Sequence, residues 1–413
     1  MPMQSSTPMH VGFTGHIATE NILQFIEGPT ANLPVGYGGA PLLGTMIGEL
    51  LARGHRVSAF TTSIGMPISR NKWIEAGNDR FRIYYIGQRP HSFRPKFGFM
   101  GRAMDFFSVE RAALIAAMRA AAPDVIHAHW SYEFGLAAIG TGLPHVVTCH
   151  DSPAVVLRYM PNLYRFVRYL MGRRCLAQAR IVTAVSPYLR DALQHYCTVP
   201  VSAIQNPLPN SLTRSGRPHD PKRQVSKVFR IAMVINGWDE RKNPIPALKA
   251  FQQLQLSGVT ELELHLFGAE FGPNERAANW FKCNGGGTGV YFHGRTPHTL
   301  MLEKIAGMDL LLHPAKEESC PMGIAEALSL GLPVVGGDKS GGVPWVIGDG
   351  GLTTDITSPA AMAHAMRELV TNNDLYARCS QAARLNARAR FDAATVAQLY
   401  EDTYHQAINM NRQ

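Results

Sequence analysis

Glu318 and Glu326 are separated by seven residues, Ser-Cys-Pro-Met-Gly-Ile-Ala, in which a turn leads into a helical pattern. The N-terminus of such a helix carries unsatisfied N–H groups and a positive partial charge, which together bind phosphate. Pro321 has no N–H, so the donors expected there are Cys320, Met322 and Gly323. The two carboxylates can then accept hydrogen bonds from sugar hydroxyls on either side of the phosphates. Taken alone, a glutamate pair at this spacing also fits an ordinary surface loop and helix. Lys242 lies in NGWDERKNP (236–244), the segment after the strand pattern 229–235, and a lysine beyond a strand's carboxyl end is a point charge suited to a leaving pyrophosphate; Arg241 is placed to share that task.

A second group consists of histidines. His127 and His129 lie two apart on a strand pattern and share a face, and His150 closes another strand pattern. Three histidines raise the question of zinc, but no carboxylate or cysteine at matching spacing completes a ligand set. His129 and His150, at strand ends, read as cleft residues and His127 as structural. Gly12-Phe-Thr-Gly15 lacks the last glycine of a dinucleotide fingerprint, which argues against a dehydrogenase.

Short β-rich runs alternating with helical patterns must position these groups, and they predict an α/β chain with parallel sheets. Strands are expected at 10–14, 57–61, 82–86, 125–129, 145–149 and 181–184, with helices at 41–53 and 103–122. A polar stretch, 210–227, reads as a linker. Beyond it strands are expected at 229–235, 261–267, 290–293, 309–313 and 333–336, and helices at 244–256, 297–306, 323–330, 358–371, 375–390 and 393–408. This gives a first domain over 1–209, a second over 228–390, and a last helix in 391–413 that returns to the first. Ligands of open parallel sheets sit beyond the strands' carboxyl ends, so a central cleft between the two domains is expected to hold the substrate.

The segment 309–352, DLLLHPAKEESCPMGIAEALSLGLPVVGGDKSGGVPWVIGDGGL, resembles the signature of the retaining GT-B glycosyltransferases of family 4. GYGGAPLLGTMIGELLARGHRV (36–57), DVIHAHW (124–130), VVTCHD (146–151), TAVS (183–186) and QNPLP (205–209) resemble further family segments in order. The resemblance implies two Rossmann-like domains facing a cleft and a nucleotide-diphosphate sugar as donor. It implies that Glu318 contacts the transferred sugar, Glu326 the ribose, Gly38 and Gly39 the donor phosphates, His150 the donor sugar and Lys242 the diphosphate. No cofactor or catalytic metal is implied. Two positions depart from the family: Trp238 follows Gly237 where a phosphate-binding arginine is usual, and Trp345 replaces a glutamate. The mechanism implied is same-face attack by an acceptor hydroxyl, the leaving phosphate taking its proton. The rival readings are a nucleotide-sugar epimerase or a phosphorylase on the same architecture, and a sugar-nucleotide-binding subunit without turnover.

The bulk properties agree with a folded enzyme. Of 413 residues, 46% are apolar and 17% charged, no apolar run approaches a membrane span, and the start lacks a secretion pattern. Six scattered cysteines favour reduced thiols, and the expected location is cytoplasmic, at the inner face of the membrane. Charge is uneven: the first 225 residues hold 23 Lys and Arg against 12 Asp and Glu, the remainder 17 against 19. The segment 162–180 concentrates it, with Arg165, Arg168, Arg173, Arg174 and Arg180 and no acid. Leu163, Phe166, Val167, Leu170 and Met171 interleave at helical spacing, so this is either a helix on an anionic membrane or a domain helix with its apolar face inward. No aromatic stacking pattern supports nucleic acid. A saccharide or lipid-linked acceptor is expected from the basic half; base, sugar, linkage and oligomeric state depend on loop geometry that patterns do not encode.

Overall fold

The computed structural model describes residues 7–96, 98–214, 228–258 and 261–412. It divides into two compact units, Met1–Pro207 with Ala393–Gln413, and Leu208–Asp392. Of the expected linker, Asn210–Arg214 forms a short helix, and 215–227 lies outside the described residues.

The first unit is built on eight strands: β1 His10–Thr14, β2 Arg56–Ile64, β3 Trp73–Gly77, β4 Phe81–Gln88, β5 Val125–His129, β6 His145–Cys149, β7 Val182–Ala184 and β8 Val201–Ala203. Their order is β3-β4-β2-β1-β5-β6-β7-β8. All pairs are parallel except β3 on β4, an edge hairpin whose turn is held by Asn78, its side chain accepting from the N–H groups of Arg80 and Phe81. The central strands are buried on both faces, which is why they lack the strict apolar–polar alternation of a half-exposed sheet.

The second unit carries β9 Val228–Val234, β10 Glu261–Phe267, β11 Val290–Gly294, β12 Leu310–His313, β13 Val334–Gly337 and β14 Gly351–Thr354, all parallel in the order β11-β10-β9-β12-β13-β14. In each sheet the strand order reverses once about a central pair, β1 with β5 and β9 with β12. A reversal splays the loops leaving the two strands and opens a crevice at their carboxyl ends.

The helix Ala393–Arg412 belongs to the first unit. Val396, Ala397, Tyr400 and Tyr404 join the core that holds Val11, Leu43 and Ile47. Its Glu401, fully buried, meets Arg53 and His55 at 2.5 and 2.7 Å, and the Tyr404 hydroxyl meets His127 Nδ1 at 2.7 Å.

Two sequence expectations change. The helix expected over 103–122 starts only at Ser108. Asp105 turns instead to Arg89 at 2.8 Å, and Phe106 and Phe107 adopt positive φ of 53° and 60°, which breaks the helical path. The basic segment is a helix, Leu163–Gln178, yet neither of its two readings describes it fully. Arg168 is buried against Glu133, while Leu163, Phe166 and Leu170 face solvent.

Candidate functional site

In the second unit the crevice residues come from the loops after β9 and β12. The β9 loop ends at Asn243, whose φ of 54° is left-handed. Its side-chain amide donates to Pro314 O at 3.1 Å and Ile356 O at 2.7 Å, which ties this loop to those after β12 and β14. So anchored, the neighbouring Lys242 pairs through Nζ with Glu318. Arg241 donates to Glu317 O at 3.1 Å and stands 3.9 Å from the Glu318 carboxylate. Burial by itself pushes the Glu318 carboxyl up, but Lys242, His313 and Arg241 together hold it below the usual range. His313, at the end of β12, is buried with neither ring nitrogen partnered among the described residues. Burial, with Lys242 and Arg241 beside it, brings its pKa down to about 4.

The helix after this loop is Met322–Ser329. Cys320 and Met322 pack their side chains on the core below, and no side chain caps the helix. The first-turn N–H groups of Met322 and Gly323 therefore keep their donor capacity, and a Cβ placed on Gly323 would meet nothing within 4 Å. One turn on, buried Glu326 pairs with His298 Nε2 at 2.8 Å, and this contact raises the His298 pKa. The second unit thus gathers Lys242, Arg241, Glu318, Cys320, Met322, Gly323 and Glu326 around one loop-to-helix turn.

In the first unit the corresponding position follows β1, β5 and β6. His129 Nδ1 and His150 Nε2 are 2.9 Å apart. Trp130, held at a left-handed φ of 68°, lays its ring 4.4 Å from His150 and 4.2 Å from His16. His16 stacks in turn on Tyr37 at 3.9 Å, the residue before Gly38 and Gly39. Neither glycine has an atom within 4 Å of where a Cβ would stand, and Gly39 has a φ of 109° that favours glycine. Burial drives the His16 and His150 imidazoles down to about 3 and His129 well below its ordinary value, so all three are neutral near pH 7. His127 is different: both nitrogens are engaged, by Tyr404 and by Thr148 at 2.7 Å, a structural role. Among the described residues no three His, Cys, Asp or Glu side chains form a metal-binding group.

Sequence reasoning gave no role to His16, Tyr37 and Trp130, although Tyr37 and Trp130 lie inside segments it singled out and His16 adjoins one. It missed His298 and His313 as well. His313 ends a recognised strand, but nothing local links His298 to Glu326, 28 residues on. The two departures acquire a packing role. Trp238 clusters with Phe271 and Trp280 at 5.9 and 6.1 Å, and the Trp345 ring lies 4.1 Å under the Arg390 guanidinium.

Comparison with known proteins agrees with this layout. Residues 38–209 match the model of Glycosyltransferase Family 4, and residues 219–386 that of Glycosyl transferases group 1. The N-acetyl-alpha-D-glucosaminyl L-malate synthase of Bacillus anthracis is 24% identical over 389 residues, covering 90% of this chain and 94% of its own. The putative teichuronic acid biosynthesis glycosyltransferase TuaC of Bacillus subtilis is 24% identical over 229 residues, about half of each chain (53% and 54%). Among solved structures, sucrose-phosphate synthase from Thermosynechococcus elongatus superposes with a TM-score of 0.70 at 15% identity, over 97% of this chain and 100% of that one. Anabaena HepE, solved with UDP and glucose, gives 0.65 at 17% identity, over 96% and 100%. Both share the GT-B fold with this chain. The matched models follow one another along the chain and account for most of it, and the chain belongs to the family 4 glycosyltransferases.

Proposed function

We propose that this glycosyltransferase acts with retention of anomeric configuration and without a metal, using a nucleoside-diphosphate sugar. The observation that carries this reading is the convergence of Lys242 and Arg241 on Glu318 beside the uncapped first turn at Met322 and Gly323. A diphosphate leaving group gains negative charge as its bond to the sugar breaks. Two cations and a helix N-terminus stabilise that charge where it develops. Before donor binds, Glu318 holds Lys242; when the diphosphate takes the lysine, the carboxylate is released to the sugar hydroxyls. Glu326 is assigned to the ribose hydroxyls, and His298 fixes the carboxylate's position.

In the reaction the bond from the anomeric carbon to the phosphate oxygen breaks. The acceptor oxygen bonds the same face of that carbon, and the acceptor's proton passes to the departing phosphate oxygen. Gly38 and Gly39 offer accessible backbone suited to phosphate oxygens. A neutral His150 suits hydrogen bonding to sugar hydroxyls and not proton transfer at pH 7.

HepE was solved with UDP-glucose, which makes UDP-sugars the first donors to try. The names of the two Bacillus relatives point to malate or a surface polysaccharide as acceptor class; a polysaccharide or glycolipid acceptor is the reading favoured here. The test begins with a thermal-shift panel of UDP-, GDP- and ADP-sugars. Transfer from the donor found is then followed by NMR in excess EDTA, and the product should keep the donor's anomeric configuration. An inverted product overturns retention, and activity lost to chelator and restored by Mn²⁺ overturns the role given to Lys242.

A further inference from the structure

The helix Leu163–Gln178 turns the wrong face outward for a domain helix. Its buried side is formed by Arg168, Met171, Gly172, Cys175 and Leu176. Leu163, Phe166 and Leu170, at i, i+3 and i+7, form a stripe on the other side, with Leu163 63% and Phe166 46% exposed. Arg173 and Arg174 continue that stripe in solvent, whereas Arg165 is half-buried on the side nearer the core, where its charge acts on buried Asp151. The preceding turn adds exposed Arg158, Tyr159 and Met160. From Ser152 to Arg190 the chain carries seven arginines and no acid. Arg168 is the buried one among them, stacked 3.7 Å from the Tyr132 ring and paired with Glu133, and Arg165 and Arg190 are half-exposed.

A second exposed apolar segment adjoins this helix. Phe107 lies 5.6 Å from the Arg168 guanidinium, and the loop leading to it exposes Met100, Met104 and Phe106. Together the two segments hold eight of the eighteen large apolar side chains exposed among the described residues. The helix and the turn before it alone hold five of them, and such clustering marks an interaction surface.

We propose that this face of the first unit docks on a membrane surface rich in anionic lipid. A stripe of leucine and phenylalanine framed by arginine fits a boundary where acyl chains begin below charged headgroups. A second copy of the chain fits poorly, because a two-fold contact through this patch sets arginines against arginines. Nucleic acid leaves the apolar stripe unused. The helical hairpin starts at Ser152, two residues after His150, and its helices are in close contact: a Cβ on Gly172 would lie 2.5 Å from Pro153 Cγ. Docking therefore holds the His150 loop beside the lipid, where a lipid-linked acceptor would be presented. The surface itself rests on exposure and charge and stands whether or not the proposed transfer chemistry holds.

The experiment is co-sedimentation of the full chain with phosphatidylcholine vesicles, with and without phosphatidylglycerol, at low and high salt. Two variants accompany it: L163S/F166S/L170S, and R158E/R173E/R174E, which changes only exposed arginines and spares Arg165 and Arg168. Wild type should bind only vesicles containing phosphatidylglycerol, and more weakly at high salt. The arginine variant should lose about a hundredfold or more in vesicle affinity, from three cations each contributing about a factor of five. The serine variant should lose at least about tenfold. Both should keep the wild-type melting temperature and UDP affinity, which separates loss of docking from loss of the donor site. Wild type that ignores phosphatidylglycerol vesicles at low salt overturns the proposal, as do variants that bind like wild type. A wild-type dimer that L163S/F166S/L170S splits also overturns it, in favour of a second copy.

Discussion

The two units present opposite chemistry at equivalent places in their sheets. At the β1/β5 reversal the first unit gathers imidazole and aromatic rings, His16, Tyr37, Trp130, His129 and His150, with the histidines kept neutral by burial. At the β9/β12 reversal the second unit gathers an ion pair, Lys242 with Glu318, and a histidine–carboxylate contact, His298 with Glu326, that favours the protonated imidazole. The same topology makes both crevices, so the difference lies in what the loops carry. In the proposed reaction, neutral donors and acceptors suit hydroxyls, while paired charges suit a leaving group that becomes more ionic as its bond breaks.

The comparison breaks most visibly if the last helix is removed. Truncation after Asp392 strips Tyr404 from His127 and Glu401 from Arg53 and His55 and opens the first unit's core. Hydrogen exchange should show the first unit losing protection throughout while the second keeps its own. Equal loss in both would contradict their independence.

Lys242→Ala is expected to lower kcat by about 10²–10³-fold, as removal of one preorganised transition-state donor does. Steady-state kinetics with the identified donor measures it, and an unchanged kcat removes the charged character assigned to the second crevice. Glu326→Ala should weaken free-nucleotide binding by about tenfold or more, since hydrogen bonds to a charged group contribute about 1.5–3 kcal/mol. Glu318→Ala should lower turnover while sparing nucleotide affinity. Calorimetric titration alongside kinetics separates the two, and matching effects would merge their roles.

The smallest effect is a difference in acid sensitivity. Six histidines of the first unit have lowered pKa values, chiefly by burial. The second unit has three lowered and one, His298, raised. A lowered histidine binds its proton first in the unfolded chain, so its stability contribution is present above about pH 6.5 and is lost on acidification towards its native value. For His16 and His150 that value is about 3. His298 has the opposite sign: its contribution is present below the unfolded pKa and fades as pH rises through the elevated one. Exchange measured from pH 7 to 4 should therefore show the first unit loosening before the second.

Much of this arrangement was legible because strand ends are local. β1, β5 and β6 coincide with largely apolar runs and β10 with an alternating one, and residues at or after the ends of β5 and β6 were readable as candidates. β3, with sequence WIEAG, escaped notice because its identity comes from pairing with β4. Short β14 takes its place from β13 in the same way. The pairing of His298 with Glu326 is set by how two helices pack, which no spacing encodes. The outward turn of Leu163, Phe166 and Leu170 is likewise invisible to periodicity, which reports that a helix has a stripe and not where the stripe points.

The path of the chain imposes an order on synthesis. The second unit is one continuous stretch, complete once Asp392 has been made, whereas the first is begun early and finished last. During translation its eight strands emerge long before Ala393–Arg412, so His127, Arg53 and His55 wait for partners encoded some 270 to 350 residues later. Domains ordinarily fold from the N-terminal end as they leave the ribosome. Here the half made first is the half completed second, and its exposed core surface over that interval is where a chaperone has most to protect.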